Sequence, residues 1–200
     1  MPNKRRKEIF FGLDEVGRGA LSGPVVACAI IVEGKSISNQ LRGIRDSKKM
    51  SPEKREKVYY FLKKSSQAQW GIGRVSEKII DKINILQATK LAMEKAVMSL
   101  EKKIKKKADC LLIDGNFNIN STIRQRAIIK GDEKIFLIKI SSIVAKVVRD
   151  KIMVGYHKKY FQYGFDKNKG YGTELHLKML KKYGPCSIHR KTFSPVKHLL

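Results

Sequence analysis

The distribution of apolar positions along the chain predicts five strands. Short apolar or alternating runs, each bounded by turn residues, cover residues 8–14, 24–32, 68–72, 110–113 and 126–130. The stretch 34–50 between the second and third regions is predicted to be a polar connection. The chain beyond Cys186 is predicted to be a tail that folds back onto the domain.

Apolar positions at helical spacing, behind residues that cap helices, predict the helices. They begin at Ser51 (ending near residue 64), at Ser76, at Asn84, before Ile140 and at Thr173 (ending at Gly184). In the long helix after Asn84, one apolar face is predicted to hold Leu86, Met93, Val97, Leu100 and Ile104. Strands and helices mixed in this order predict a single α/β domain built on a mixed sheet.

The charge of the chain narrows its partners. Lys and Arg number 43 against 18 Asp and Glu, which gives a formal net charge of +25. Such an excess is typical of proteins that neutralise phosphates, either in nucleic acid or on an anionic membrane. No apolar run approaches the roughly 20 residues that span a bilayer, so nucleic acid is favoured and no membrane is expected. The alternative is that the lysines only keep the surface soluble.

The cysteines and the first residues bear on the compartment. Cys28, Cys110 and Cys186 lie far apart without a CxxC pair, which predicts reduced cysteines rather than a zinc site or disulfides. The basic residues 1–7 lead into a predicted strand rather than a long apolar segment, so no secretory signal is expected. A cytoplasmic protein is therefore predicted.

Acidic residues mark the ends of three predicted strands. Asp14 and Glu15 end the first, Asp114 follows the fourth, and Asp132 follows the fifth. Strand ends are where α/β sheets gather functional groups, and clustered carboxylates need a counter-charge. Mg²⁺ or Mn²⁺ would supply it, and two such ions about 3.5–4 Å apart can support phosphodiester hydrolysis. The alternative, strongest for Asp132 beside a glycine, is that each acid caps a turn by itself.

A series of motifs accompanies these acids. Residues 12–19 read GLDEVGRG, and they are followed by DSKK at 46–49, IDGNF at 113–117 and KGD at 130–132. Further along stand SIVAKVVRD at 142–150, NKGYGT at 168–173, GP at 184–185 and IHRK at 188–191. In these motifs and in their order, from residue 9 to about residue 197, the chain resembles ribonuclease HII of the ribonuclease H superfamily.

The resemblance implies a fold and a metal site. The fold would be a ribonuclease H-like five-stranded mixed sheet flanked by helices, over about residues 8–155. A small helical extension over about 156–200 would help to hold the substrate within the same single domain, 1–200. The acids that bind metal in the family fall on Asp14, Glu15, Asp114 and Asp132. Asp150 lies inside a predicted amphipathic helix, where an ion pair or a surface position is expected instead.

The resemblance also implies contacts to substrate. Gly17, Arg18 and Gly19 would read the junction between a ribonucleotide and the following deoxyribonucleotide, because backbone beside glycine can approach a 2′-OH. Tyr171 would stack on the sugar at that junction; its alternative is a tyrosine packed between the last two helices. Lys48 and Lys49 would contact phosphates. The stretch 137–141 departs from the small residues usual in the family and leaves the packing near Asp132 open.

The implied activity is that of an endonuclease. It would hydrolyse the RNA strand of RNA–DNA hybrids and cut 5′ of ribonucleotides embedded in duplex DNA, through a water activated by Mg²⁺ or Mn²⁺. The short N-terminal segment favours ribonuclease HII over its sister family ribonuclease HIII, and a monomer is expected. Another ribonuclease H-like nuclease would share the acids but has no use for Gly17 to Gly19 with Tyr171. A non-catalytic basic binding module would need the lysines but not four acids that repel phosphates.

Overall fold

Five strands form one mixed sheet in the computed structural model, which describes residues 8–41, 44 and 50–200. The strands are β1 Phe10–Val16, β2 Val25–Val32, β3 Ala68–Val75, β4 Cys110–Asp114 and β5 Arg124–Ile128. Their order across the sheet is β3-β2-β1-β4-β5. β1 pairs antiparallel with β2, as β2 does with β3, whereas β1–β4 and β4–β5 are parallel. The predicted fold class is therefore confirmed.

Helices cover both faces of this sheet. The helices of the described residues are α1 Lys35–Gln40, α2 Pro52–Lys64, α3 Glu77–Ile104, α4 Gly131–Lys134, α5 Phe136–His157, α6 Phe165–Asn168 and α7 Glu174–Tyr183. Two 3₁₀ turns, Phe161–Tyr163 and Val196–His198, lie in the C-terminal part. No helix of the described residues is long and apolar enough to cross a membrane.

Close packing of α3 against β3 forms one layer of the core. A Cβ atom at Gly73 would lie 1.8 Å from the carbonyl oxygen of Ala92, and one at Gly71 would lie 2.3 Å from that of Ala96. The backbones of helix and strand therefore touch, and only small residues fit. Of the apolar face predicted for this helix, Met93, Val97, Leu100 and Ile104 pack in the core, whereas Leu86 is 38 % exposed and stays outside it.

Asn84 interrupts α3 as predicted. Its backbone is non-helical, with φ 65° and ψ 168°, and its side-chain oxygen accepts a hydrogen bond from the Gln87 backbone N–H at 3.1 Å. An asparagine tolerates this left-handed φ better than most residues and caps the N-terminus of the following segment. Two helical segments thus run consecutively on the same side of the sheet.

On the opposite face, α5 packs on β1 and β2. The stretch 137–141 forms part of its first turns. A Cβ atom at Gly12 would lie 2.4 Å from the Leu137 carbonyl carbon, so the helix backbone rests directly on β1 two residues before Asp14. Buried Ser141 donates its hydroxyl to the Ile138 carbonyl at 2.8 Å. The unusual residues are therefore accommodated as helix, in contact with the strand that carries the first acids.

Several predicted boundaries differ from the structure; β3, for example, continues to Val75 rather than ending at residue 72. β1 continues through Asp14 and Glu15 to Val16, because β2 supplies partners as far as Val26. β5 spans Arg124–Ile128 rather than 126–130, since its register is set by parallel pairing with β4 and not by its own polar sequence. The predicted connection 34–50 contains the short helix α1, whose Ile37 is buried.

The C-terminal part folds back as predicted. A third apolar cluster joins residues 161–200 to Leu21 and Met153. His189 forms an isolated β-bridge with Ser22, which follows the glycine-rich loop after β1. The last residues therefore reach the same end of the sheet as the acids of β1. The proposed division near residue 155 stays a prediction.

Candidate metal centre and nucleic-acid interface

Three carboxylates meet at one end of the sheet. Asp14 and Asp114 follow Leu13 and Ile113, which are register partners in the parallel pair β1–β4. Leu13 and Ile113 belong to the core on the α3 side, and successive strand residues alternate, so both aspartates face α5. Asp132 comes from α4. One oxygen from each of the three lies within 4.8 Å of the others.

Backbone N–H groups hold two of these carboxylates in place. Asp14 Oδ1 accepts from the N–H of Glu15 at 2.7 Å, and Asp114 Oδ1 accepts from the N–H of Gly131 at 2.7 Å. Gly131 can come this close because it has no side chain: a Cβ there would lie 2.6 Å from Ile138 Cδ1. The bond to Asp114 therefore places α4, and with it buried Asp132, beside the first two acids.

Burial and the repulsion between neighbouring acids disfavour the ionised forms of Asp14 and Glu15. Burial raises the pKa of Asp14 well above its usual value, the neighbouring charges of Glu15 and Asp114 raise it further, and a hydrogen bond from Ser142 opposes them. Burial also raises the pKa of Glu15, against the opposing charge of Arg18. A cation placed among these groups would stabilise their ionised forms and so offset both the burial and the mutual repulsion.

Glu15 stands apart from the compact set of three acids. It alternates with Asp14 along β1 and points to the α3 side, where its Oε1 lies 3.3 Å from Arg18 Nη1. Its other oxygen, Oε2, is buried and finds no hydrogen-bond partner among residues 8–41, 44 and 50–200. Such an oxygen is costly to bury unless a ligand supplies its partner.

Three of the four acids, Asp14, Glu15 and Asp114, open into one cleft of about 520 Å³. The cleft is lined by Asp14, Glu15, Val16, Gly17, Arg18, Gly19, Arg55, Asp114, Ser142, Lys146 and Tyr171. A larger cleft of about 620 Å³ lies at the other end of β1, around Phe10 and Lys106, and none of the three clustered acids lines it. Asp14, Glu15, Asp114, the glycine-rich loop and Tyr171 therefore share one opening.

Buried Arg190 shapes the loop that holds Gly17, Arg18 and Gly19. Its guanidinium donates to the carbonyls of Gly17 at 2.6 Å, of Arg18 at 2.8 Å and of Gly23 at 2.9 and 3.0 Å. Burial, together with the charge of Arg149, lowers the pKa of Arg190 to about 9. The C-terminal segment thus fixes the loop from behind while the loop faces the cleft.

Tyr171 lies at the wall of the cleft, close to two cations. Lys146 Nζ is 5.5 Å and the Arg149 guanidinium carbon 5.3 Å from the centre of its ring. Arg149 is fully buried and donates to the carbonyls of Ser22, Pro24 and Lys169 at 2.9–3.1 Å. The ring is half-buried, which leaves part of it facing the opening.

Sequence reasoning gave no role to Arg149 or Arg190, although both lie inside quoted motifs. Arg149 could have been found, because it stands four residues from both Ala145 and Met153 on the buried stripe of α5. No local pattern marks Arg190. Asp150 forms an ion pair with Lys146 at 2.9 Å, as predicted. Lys48 and Lys49 lie outside the described residues.

Comparison with known proteins identifies the family of this chain. The family model described as ribonuclease HII matches residues 11–196. The ribonuclease HII of Chlamydia muridarum is 49 % identical over 186 residues, which is 93 % of this chain and 82 % of that relative. The ribonuclease HII of Polynucleobacter asymbioticus is 46 % identical over 189 residues, covering 94 % of both chains.

Solved structures of other ribonucleases H share the fold of this chain. The ribonuclease H2 of Pyrococcus horikoshii OT3 superposes with a TM-score of 0.74 at 26 % identity over 96 % of each chain. A ribonuclease HIII, Bst-RNase HIII solved in complex with Mn²⁺, shares the fold with a TM-score of 0.70 at 16 % identity, over 95 % of this chain and 68 % of its own. With a family model that matches residues 11–196, relatives 46–49 % identical over most of their length and a solved structure of the same fold, the chain belongs to the ribonuclease HII family of ribonuclease H endonucleases.

Proposed function

We propose that this endonuclease cuts 5′ of ribonucleotides embedded in duplex DNA, as well as within the RNA strand of RNA–DNA hybrids. Asp14, Glu15, Asp114 and Asp132 would hold Mg²⁺ or Mn²⁺. The observation that carries the proposal is the shared cleft. Asp14 and Asp114, with Asp132 clustered beside them, open onto the same space as the Gly17–Gly19 loop and Tyr171, so chemistry and junction recognition can act on one phosphodiester.

The donor set fits a hard divalent cation. All the candidate ligands are carboxylate oxygens, which Mg²⁺ and Mn²⁺ prefer over nitrogen or sulfur. The raised pKa of Asp14 and the unpartnered oxygen of Glu15 support the placement of a cation beside these acids. Bst-RNase HIII, solved with Mn²⁺, supports the choice of ion. When bound, such ions activate water and stabilise the leaving oxygen of a phosphodiester.

The protein's own groups prepare the acids for this task. The N–H groups of Glu15 and Gly131 fix the carboxylates of Asp14 and Asp114 before any ligand arrives. Asp14 is buried, so metal binding must displace any proton it carries, and binding should weaken as the pH falls. The charge of Arg18 and its hydrogen bond to Glu15 oppose the burial that raises the pKa of Glu15.

The loop residue Gly19 supports close contact with substrate. Gly17 is required by the fold itself, since its φ is +94° and a Cβ would lie 2.2 Å from Arg149 Nε. At Gly19, by contrast, a Cβ would meet nothing within 4 Å among the described residues. Internal packing there gives no reason for a glycine, whereas a nucleic-acid backbone or a 2′-OH approaching the loop would.

A non-catalytic binding protein fits the structure less well. The acids of the cleft would repel phosphates and raise the cost of binding unless a cation lies between them. The monomeric state and the cytoplasmic location stay predictions.

Cleavage of two substrates tests the proposal through Tyr171. One is duplex DNA with a single ribonucleotide and the other a continuous hybrid, each with Mg²⁺, with Mn²⁺ and with neither. If the ring stacks at the junction, Tyr171→Ala should lower cleavage at the single ribonucleotide by roughly 10- to 100-fold, by analogy with a base-stacking contact of about 1–3 kcal/mol. Hybrid cleavage should fall less, because many registers allow other contacts to compensate.

The matched control is Tyr183→Ala, which removes a half-exposed tyrosine at the end of α7. It should leave the ratio of the two activities unchanged. Equal losses on both substrates in Tyr171→Ala, together with a lower Tm, would show that the ring serves packing alone. Cleavage that does not depend on a divalent metal would refute the role of the acids.

A further inference from the structure

A chain of hydrogen bonds connects the C-terminal segment to Tyr171. The backbone N–H of Cys186 lies 2.9 Å from His189 Nδ1. His189 Nε2 lies 3.1 Å from His176 Nε2, and His176 Nδ1 lies 2.8 Å from the Tyr171 carbonyl oxygen. Thr173 N–H also donates to this carbonyl, at 2.8 Å. Two histidines from different segments thus lie directly behind the residue that lines the cleft.

The groups at the two ends of this hydrogen-bond chain determine which atom of each imidazole donates and which accepts. A backbone N–H can only donate, so His189 Nδ1 must accept and the proton of a neutral His189 must sit on Nε2. That N–H donates to His176 Nε2, which leaves the proton of His176 on Nδ1. There it meets a carbonyl, which can only accept. One pair of neutral tautomers therefore satisfies every group, with the Cys186 thiol also 3.1 Å from the accepting His189 Nδ1. The opposite pair keeps the bond between the two imidazoles but loses those to the Cys186 N–H and to the Tyr171 carbonyl.

The surroundings keep both imidazoles neutral. His176 is fully buried and His189 almost so. The ring of Tyr163 stands edge-on to His189 at 4.9 Å, and that of Phe165 edge-on to His176 at 5.3 Å. Burial lowers the pKa of His176, and burial together with the neighbouring His176 lowers the pKa of His189 to about 4. At neutral pH the pair holds the protonation state that the hydrogen bonds require.

We propose that His176 and His189 are positioning residues that hold the Tyr171 backbone, and with it the ring, at the cleft. The proposal rests on the proposed function of Tyr171 at the junction. It extends the role of the C-terminal segment: Arg190 holds the Gly17–Gly19 loop, and the neighbouring His189 reaches Tyr171 through His176. One short segment then sets both walls between which the junction would lie.

The tautomers give a test that does not depend on activity. Long-range ¹H–¹⁵N spectra of the full chain with labelled histidine, assigned with His176→Asn and His189→Asn, should show His176 as the neutral Nδ1–H form. His189 should appear as the neutral Nε2–H form. The opposite tautomers, or a charged ring in either residue at pH 7, would overturn the hydrogen-bond chain, whatever Tyr171 does.

Kinetic measurements test whether the hydrogen-bond chain affects cleavage of the two substrates. His176→Leu removes the donor to the Tyr171 carbonyl and fills its place with an apolar side chain. His176→Asn instead retains an N–H, from its amide, near the position of Nδ1. Loss of one hydrogen bond predicts that His176→Leu lowers kcat/KM at a single embedded ribonucleotide by about 2- to 10-fold more than on the continuous hybrid. His176→Asn should restore most of that difference. His198→Leu, at an exposed histidine, is the control.

Further variants separate the possible failures. In the Tyr171→Ala background, His176→Leu should change the ratio of the two activities no further. Equal losses on both substrates in His176→Leu would mean packing alone and would overturn the proposal. If His176→Leu does not fold, His189→Asn replaces it, because its side-chain oxygen can still accept from Cys186 N–H while the link to His176 is broken. If Tyr171→Ala itself leaves the ratio unchanged, the proposed function of Tyr171 fails, and the spectra still decide the hydrogen-bond chain.

Discussion

Replacement of Asp114 by asparagine should stabilise the metal-free protein while abolishing its activity. Asparagine has the same shape and keeps an oxygen that can accept from Gly131 N–H, so the position of α4 is preserved. It removes one negative charge from three carboxylates whose oxygens lie within 4.8 Å. The change therefore acts on electrostatics and on metal binding, and leaves packing almost untouched.

The magnitude follows from that spacing. Two ionised carboxylates 4.8 Å apart repel by about 3 kcal/mol at an effective dielectric constant near 20. Salt and partial protonation of Asp14 reduce the net gain, so Asp114→Asn should raise the free energy of unfolding by about 1–2 kcal/mol without metal. For a protein of this size that corresponds to a rise in Tm of roughly 2–8 °C.

The pH dependence has a definite sign. Because the pKa of Asp14 is raised in the folded state, that state binds more protons than the unfolded chain above the ordinary aspartate pKa of about 3.9. The stability of the metal-free wild type should therefore fall as the pH rises from that value through the raised pKa. Asp114→Asn should flatten this fall, since the charge of Asp114 is one of its causes.

Thermal unfolding with EDTA and with Mg²⁺, followed by cleavage assays, tests all three effects. A ligand present at 100 times its Kd stabilises the folded state by about 2.7 kcal/mol, and the variant should lose most of this gain together with nearly all turnover. Glu133→Gln, an exposed acid on α4, is the charge-matched control and should behave like the wild type. A variant that is less stable without metal, or that keeps wild-type cleavage, would refute the reasoning.

Two further predictions concern the charge of the chain and its C-terminal segment. The affinity for a hybrid duplex should fall by orders of magnitude between about 50 and 200 mM salt, because a chain of net charge +25 releases counterions when it binds phosphates. Fluorescence anisotropy with Ca²⁺ in place of Mg²⁺ measures this affinity. A flat response would mean that the lysines only confer solubility. Arg190→Lys keeps the charge but loses the planar fork that reaches three carbonyls, so urea unfolding should show a loss of about 2–4 kcal/mol, and an unchanged midpoint would contradict the role assigned to Arg190.

Local physics made much of this protein predictable from its sequence. The caps at Ser51, Asn84 and Thr173 act within three residues of the groups they bond, so they appear directly in the sequence. The buried strands are equally visible, because their apolar runs need no knowledge of partners. The exposed β5 has no such run, and its boundaries were wrong. The acids were found because strand ends and their residue types are both local features.

Distance in the chain explains what the sequence could not decide. That three acids lie within 4.8 Å while Glu15 turns to the other face depends on the parallel register of β1 with β4 and on how far β1 extends. Arg190 donates to the Gly17 carbonyl across a separation of 173 residues, and His189 contacts His176 only because the segment after α7 packs back against that helix. The sequence by itself determined the elements, the charge and the chemistry of the site, because each depends on neighbouring residues. Only the tertiary structure decided which buried cations and imidazoles hold the cleft, because those contacts arise once distant segments pack together.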